Sequence, residues 1–186
     1  MPPLTALDNQ WAIFKQAREF ELAAIHLGNH RWYEIELPEA PPYTEKFLFV
    51  IAVAVNAAFS LELYLKCLLM IDSITPPKVH TLLDLFNLLP ADQRRKIEEL
   101  HDKSRALLWG EPPLRGASLL EILQMSNNAF DDWRYHHEDQ KPLQFSAGPV
   151  IDHVKRVIFE ASPPLEERLM IHLGLARKRP VPTPAK

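Results

Sequence analysis

"FLFVIAVAVNAAFSLELYLKCLLMI", residues 47–71, decides the fold of this chain. It is the most apolar stretch present, yet Asn56, Ser60, Glu62 and Lys66 interrupt it. Its length suits a bilayer, which about 20 apolar residues span. A carboxylate and an ammonium near its middle would each cost about 2.5 to 3.5 kcal/mol at a membrane centre, and the Asn56 amide adds to that. The uninterrupted apolar part, Phe47 to Val55, is far too short to cross alone. The stretch therefore reads as a buried helix of a soluble protein, with no membrane partner expected.

At roughly 100° per residue, Glu62, Lys66, Asn56 and Ser60 fall in that order across an arc of roughly 160°. The opposite side carries Val50, Ala54, Ala57, Leu61, Leu65 and Leu68, with the Tyr64 hydroxyl as its one polar group. Val55, Phe59 and Leu63 are interleaved with the polar four, so the expectation is a central helix buried all round. Glu62 and Lys66 stand at i and i+4 with the carboxylate first, the better orientation for pairing. Two readings follow, because buried polar groups need partners. One is a partly exposed intrahelical salt bridge, with Asn56 and Ser60 bonded to neighbouring helices. The other is a polar seam completed by a second helix, ordering a ligand pocket or a dimer interface.

Around this helix, the 186 residues fit one domain, expected over residues 1–176. Hydrophobic residues at 47% and charged residues at 24% are ordinary for a globular chain. A net charge of -3 supplies no basic field for non-specific nucleic-acid binding. The single cysteine, Cys67, excludes an intrachain disulfide, fits a reducing compartment and is expected as buried filler. "MPPLTALDNQ" has neither a basic segment nor an apolar stretch, so no secretory signal is expected and the location is read as cytoplasmic.

Five glycines and no sustained period-two alternation leave little material for a sheet, so the fold class is all-α. The 17 prolines are grouped, and "LPEAPPY", "TPPK", "EPPLRG" and "SPP", which hold nine of them, mark loops between six or seven helices. Helix one is expected from Leu7 to Leu27, capped by Asp8, with Trp11, Phe14, Ala17, Ala24 and Ile25 as core. Helix two covers Thr44 to Ile71. A third starts at Thr81, where Thr81 and Asp84 have capping-box spacing. A fourth, "ADQRRKIEELHDKSRALLW", puts Ile97, Leu100, Leu107 and Leu108 on one face. A fifth runs continuously through "ASLLEILQMSNNAFDDWRYHHE". A sixth presents Val150, Val154, Val157 and Ile158, and a seventh lies in "LEERLMIHLGLARK". The basic, proline-rich tail 177–186 is expected to be disordered.

The fifth helix is the natural partner for the seam. Phe130 and Trp133 share one side, while Asn127, Asp131, Arg134 and Glu138 share another. Arg134 either bridges Asp131 and Glu138 at the surface or reaches inward to Glu62. No metal or cofactor is expected: His136 and His137 are adjacent and diverge, and His26 with His30 has no acidic HExxH-type partner. Glycine-rich phosphate loops and a nucleophile elbow are lacking in the sequence.

Taken in order, "NAAFSLELYLKCLL", "KVHTLLDLFNLLP" and "AFDDWRYHHE" resemble HEPN domains, the "higher eukaryotes and prokaryotes nucleotide-binding" modules. The likeness spans about residues 44–138. It rests on Glu62 with Lys66, His80 with Leu82, and the helix around Trp133, Arg134 and Tyr135. The resemblance implies a compact antiparallel helical bundle and a homodimer. It also implies a nucleotide- or RNA-associated accessory role in prokaryotic stress or defence, with a nucleotidyltransferase-type partner in some members. Other members are metal-independent ribonucleases, often toxins, with an Arg followed four to six residues later by a His. Here Arg134 is followed more closely by His136 and His137; His137 shares its face, so Arg134, His137 and Glu138 are the candidate catalytic set. Asn56, Ser60, Glu62, Lys66, His80 and Asp131 form the candidate seam. Arg95 and His101 match the family spacing on a charged helix, a match read as chance. The third reading is a purely structural bundle whose seam fixes helix register.

Overall fold

The computed structural model describes residues 5–29, 44–109, 117–127 and 147–176. Among the described residues there are seven helices and no strand. They are α1 (Ala6–Asn29), α2 (Thr44–Ile71), α3 (Leu82–Asn87), α4 (Ala91–Trp109), α5 (Leu119–Met125), α6 (Gly148–Ala161) and α7 (Pro163–His172). The chain is an all-α helical bundle, as the glycine-poor, helix-periodic sequence implies.

Helix α2 is the hub. Leu61, Tyr64, Leu65, Cys67, Leu68 and Leu69 are fully buried, and each large apolar side chain so removed from water stabilises the fold by about 1.5–3 kcal/mol. Burial also pushes the Cys67 thiol up to about 12, consistent with an inert filler. The helix is not buried all round, however. Asn56, Phe59, Leu63, Lys66 and Met70 form a half-buried stripe down one side. By length and composition Ala52–Ile71 is apolar enough to cross a membrane, and 56% of that span is buried within the bundle itself.

Helix α1 runs antiparallel to α2. Gln10 Nε2 donates to the Met70 carbonyl at 3.3 Å, while further along α1 the Phe20 ring sits 5.4 Å from Phe59. Its start is fixed by a reciprocal pair: Asp8 N donates to Thr5 Oγ1 at 3.1 Å, and Thr5 N donates to Asp8 Oδ2 at 3.0 Å. Thr5 is therefore the cap, and Asp8 is its third-position partner. Phe14, Ala17 and Ala24 are buried as the periodicity predicts, but the fourth buried position is Glu21, and Ile25 is exposed.

Helix α6 closes the bundle against α1, α2 and α4 with Val150, Ile151, Val154, Val157 and Ile158 buried. It runs antiparallel to α4, since Lys96 pairs with Glu160 at 3.5 Å and Ser104 meets His153 at 2.7 Å. On α4 the expected leucine face is only partly realised. Ile97 is buried and Leu100 packs on the core, but Leu107 is 88% exposed. Gln93 and His101 take core positions instead.

The third and fifth helices depart most from expectation. At α3 the Thr81 side chain accepts no backbone bond; its hydroxyl donates to the Asp84 carboxylate. A complete capping box lies instead at α5, between Ser118 and Glu121, as in the reciprocal pair at α1. Helix α5 stops at Met125, where the Ser126 N–H bonds back to the Ile122 carbonyl, so no single helix runs from residue 117 to 138. Asn127 lies in the following turn, and its Oδ1 accepts from Leu83 N at 2.9 Å.

Candidate functional site

Glu62 is 6% exposed although it stands on the flank of the apolar helix. Helical spacing delivers Lys66 to it, with Nζ 2.6 Å from Oε1. The second partner comes from outside α2: His80, just before α3, places Nδ1 3.1 Å from Oε1 and 3.2 Å from Oε2. The prolines at 76 and 77 lead the chain out of α2 and back, bringing His80 over the same carboxylate.

The three side chains form a directional device. A carboxylate accepts only, so Nδ1 of His80 carries the proton, and in the neutral ring Nε2 is left with a free lone pair. With 71% of its side chain exposed, His80 presents the rest of the ring to solvent. Lys66, at 13%, is largely buried against the carboxylate. A buried carboxylate thus orients an outward-facing imidazole beside an ammonium. Such a group can accept a hydrogen bond, or take a proton from a hydroxyl placed against it.

The remaining seam residues behave differently. Asn56 turns onto its own helix, with Nδ2 donating to the Ala52 carbonyl at 2.7 Å. The buried Ser60 hydroxyl has no hydrogen-bond partner among the described residues. Neither bonds a neighbouring helix among the described residues, where Glu62, Lys66 and His80 are the seam residues brought together. Asp131, Arg134, His136, His137 and Glu138 lie outside the described residues, as does Trp133. Arg95 is exposed and pairs with Glu99, whereas His101 is buried and donates through Nε2 to the Ala117 carbonyl at 3.1 Å. The two diverge, so the matching interval does not make a site.

Two further polar clusters went unread in the sequence. Glu21 accepts from Tyr64 Oη at 2.7 Å, Arg18 Nη1 at 2.8 Å and Lys155 Nζ at 2.8 Å. Burial pushes its carboxyl upward, but the hydrogen bonds from Lys155, Tyr64 and Arg18 outweigh that and hold it below its usual 4.5. Burial, then the Glu21 charge, push the Tyr64 phenol far up. The signal was present: Phe14, Ala17, Glu21 and Ala24 follow one helical stripe, so the carboxylate occupied a core position. Between α4 and α6, the rings of His101 and His153 meet edge to face at 5.7 Å. Ser104 donates to the Leu100 carbonyl at 2.9 Å and accepts from His153 Nε2 at 2.7 Å. Nδ1 of both histidines is buried without a partner among the described residues. Among the described residues, no group of three or more His, Cys, Asp or Glu is arranged to hold a metal ion.

No protein-family model matches the chain, and no curated protein or solved structure compared with it matches either. Any functional reading therefore rests on the residues themselves.

Proposed function

We propose that the chain is a HEPN-like module that associates with nucleotide or RNA as a homodimer, acting as an accessory or interaction protein in prokaryotic stress or defence. The observation that carries this reading is the Glu62–His80–Lys66 cluster, with Nδ1 held at 3.1 Å by a buried carboxylate and the ring turned outward. An imidazole and an ammonium at one surface point suit a phosphate or a ribose hydroxyl. The position of Asn127 adds support. Its Oδ1 accepts from Leu83 N, three residues beyond His80, which ties the turn after α5 to the segment that carries the cluster. In this reading a nucleotidyltransferase-type protein is a candidate partner.

The test is RNA and ATP binding by fluorescence anisotropy, with sedimentation for the dimer. Binding that His80→Ala and Lys66→Ala each reduce by about tenfold supports the proposal. No binding by the unaltered protein refutes it. A metal-independent ribonuclease is the second reading, favoured by the same carboxylate-oriented imidazole, which is how a general base is commonly held. It requires RNA cleavage in EDTA that His80→Ala abolishes. Cleavage lost only in His137→Ala or Arg134→Ala would shift the chemistry to that pair.

A further inference from the structure

A hollow of about 380 Å³ opens where α1, α2 and the start of α6 converge. Its volume falls within the range of small-molecule sites, about 300–1,000 Å³. Small side chains make the space: Ala24 and Ala57 face it where helices normally interlock larger groups, and Ala147 and Gly148 border it. A Cβ added at Gly148 would meet nothing within 4 Å. The polar part of the lining is two carboxylates, Glu21 and Asp152.

We infer that this hollow binds a small apolar molecule bearing a primary ammonium, received by Glu21 and Asp152. The protein already displays the chemistry. Lys155 places its own ammonium 2.8 Å from Glu21 Oε1 and 3.2 Å from Asp152 Oδ1, the same two carboxylates that line the space. The Glu21 carboxylate offers about four acceptor positions and uses three, on Lys155, Tyr64 and Arg18. The position left over belongs to Oε1. Beyond the carboxylates the lining is alkyl, from Ile25, Val53, Ala57 and Ile151, which suits a hydrocarbon body. An anionic ligand would meet two carboxylates on the lining, whose charge Lys155 and Arg18 balance from outside it, and a neutral alcohol forgoes the charge-assisted bond. This site is separate from the Glu62 cluster and does not depend on its function.

Titration calorimetry of the full chain with hexylammonium, hexanol and hexanoate tests the inference. Hexylammonium is expected to bind at least about tenfold more tightly than hexanol, and hexanoate not detectably. Asp152→Asn, at an exposed position, and Gly148→Leu, which adds bulk into open space, are each expected to weaken hexylammonium about fivefold or more. Lys155→Ala vacates the native ammonium, so hexylammonium is expected to raise the melting temperature of that variant more than that of the unaltered chain. Equal affinity for hexanol and hexylammonium overturns the inference, as does no binding. Binding that neither Asp152→Asn nor Gly148→Leu alters overturns it equally.

Discussion

Glu21 and Glu62 are buried to the same 6% exposure, yet they are held in different ways. The donors to Glu21 come from three helices, with Arg18 on α1, Tyr64 on α2 and Lys155 on α6. Glu62 is met by Lys66 of its own helix and by His80 from a loop. The first carboxylate is a joint: removing it leaves two cations and a buried phenol facing one another. The second is a support whose outer partner remains in water. Equal burial therefore does not imply equal roles. What separates the two is whether the partners are themselves committed to the core.

The largest effect is expected at the joint. Glu21→Ala should cost about 3 kcal/mol in urea unfolding, because Arg18, Tyr64 and Lys155 lose their shared buried anion and, among the described residues, only Lys155 keeps another, the exposed Asp152. Glu62→Ala should cost less, about 2 kcal/mol, since Lys66 and His80 can turn to solvent. If the order were reversed, the distinction drawn here would fail.

Acid sharpens the comparison. The folded Glu21 carboxyl titrates below its usual 4.5, so its stabilisation is complete above that value and is lost as pH falls through the lower, folded value. His153 gives a second window. Burial, then the neighbouring His101, lower it from 6.5, so the unfolded chain takes up the proton more readily. Stability is expected to decline first as pH drops below 6.5, then again below 4.5. Thermal melts across pH should show both steps. His153→Phe should remove the first, and Glu21→Gln should shrink the second, to which the lowered carboxyls of Asp8 and Glu121 also contribute.

How much of this was legible in the sequence varies by element. Helices α2 and α6 were readable because long apolar patterns bounded by prolines admit few alternatives, and both occupy the spans expected. The pairing of Glu62 with Lys66 followed from spacing alone. His80 was flagged by resemblance, but its contact with Glu62 depends on a loop path that no periodicity encodes. The break after Met125 was missed because "LLEILQMSNNAF" keeps a helical pattern across it. There a tertiary bond, Leu83 N to the Asn127 side chain, accompanies the departure from that pattern. Glu21, His101 and His153 were overlooked for another reason. Each is a polar residue inside an apolar stripe, and its position on the stripe makes it part of the core.

The smallest stability effect, and the most informative one, is expected at His80. Its ring is mostly in water and Glu62 keeps Lys66 when it is gone, so His80→Ala should change unfolding free energy by no more than about 0.5 kcal/mol. A purely structural seam predicts nothing more than that. If the cluster exists to present an imidazole, the same substitution should remove RNA or nucleotide binding from a protein of unchanged melting temperature. The conservative His80→Gln sharpens the point: it can keep a donor toward Glu62 but has no titratable lone pair to offer. Binding retained in His80→Gln and lost in His80→Ala would assign the ring a hydrogen-bonding role. Loss in both, with cleavage lost in parallel, would assign it the proton transfer.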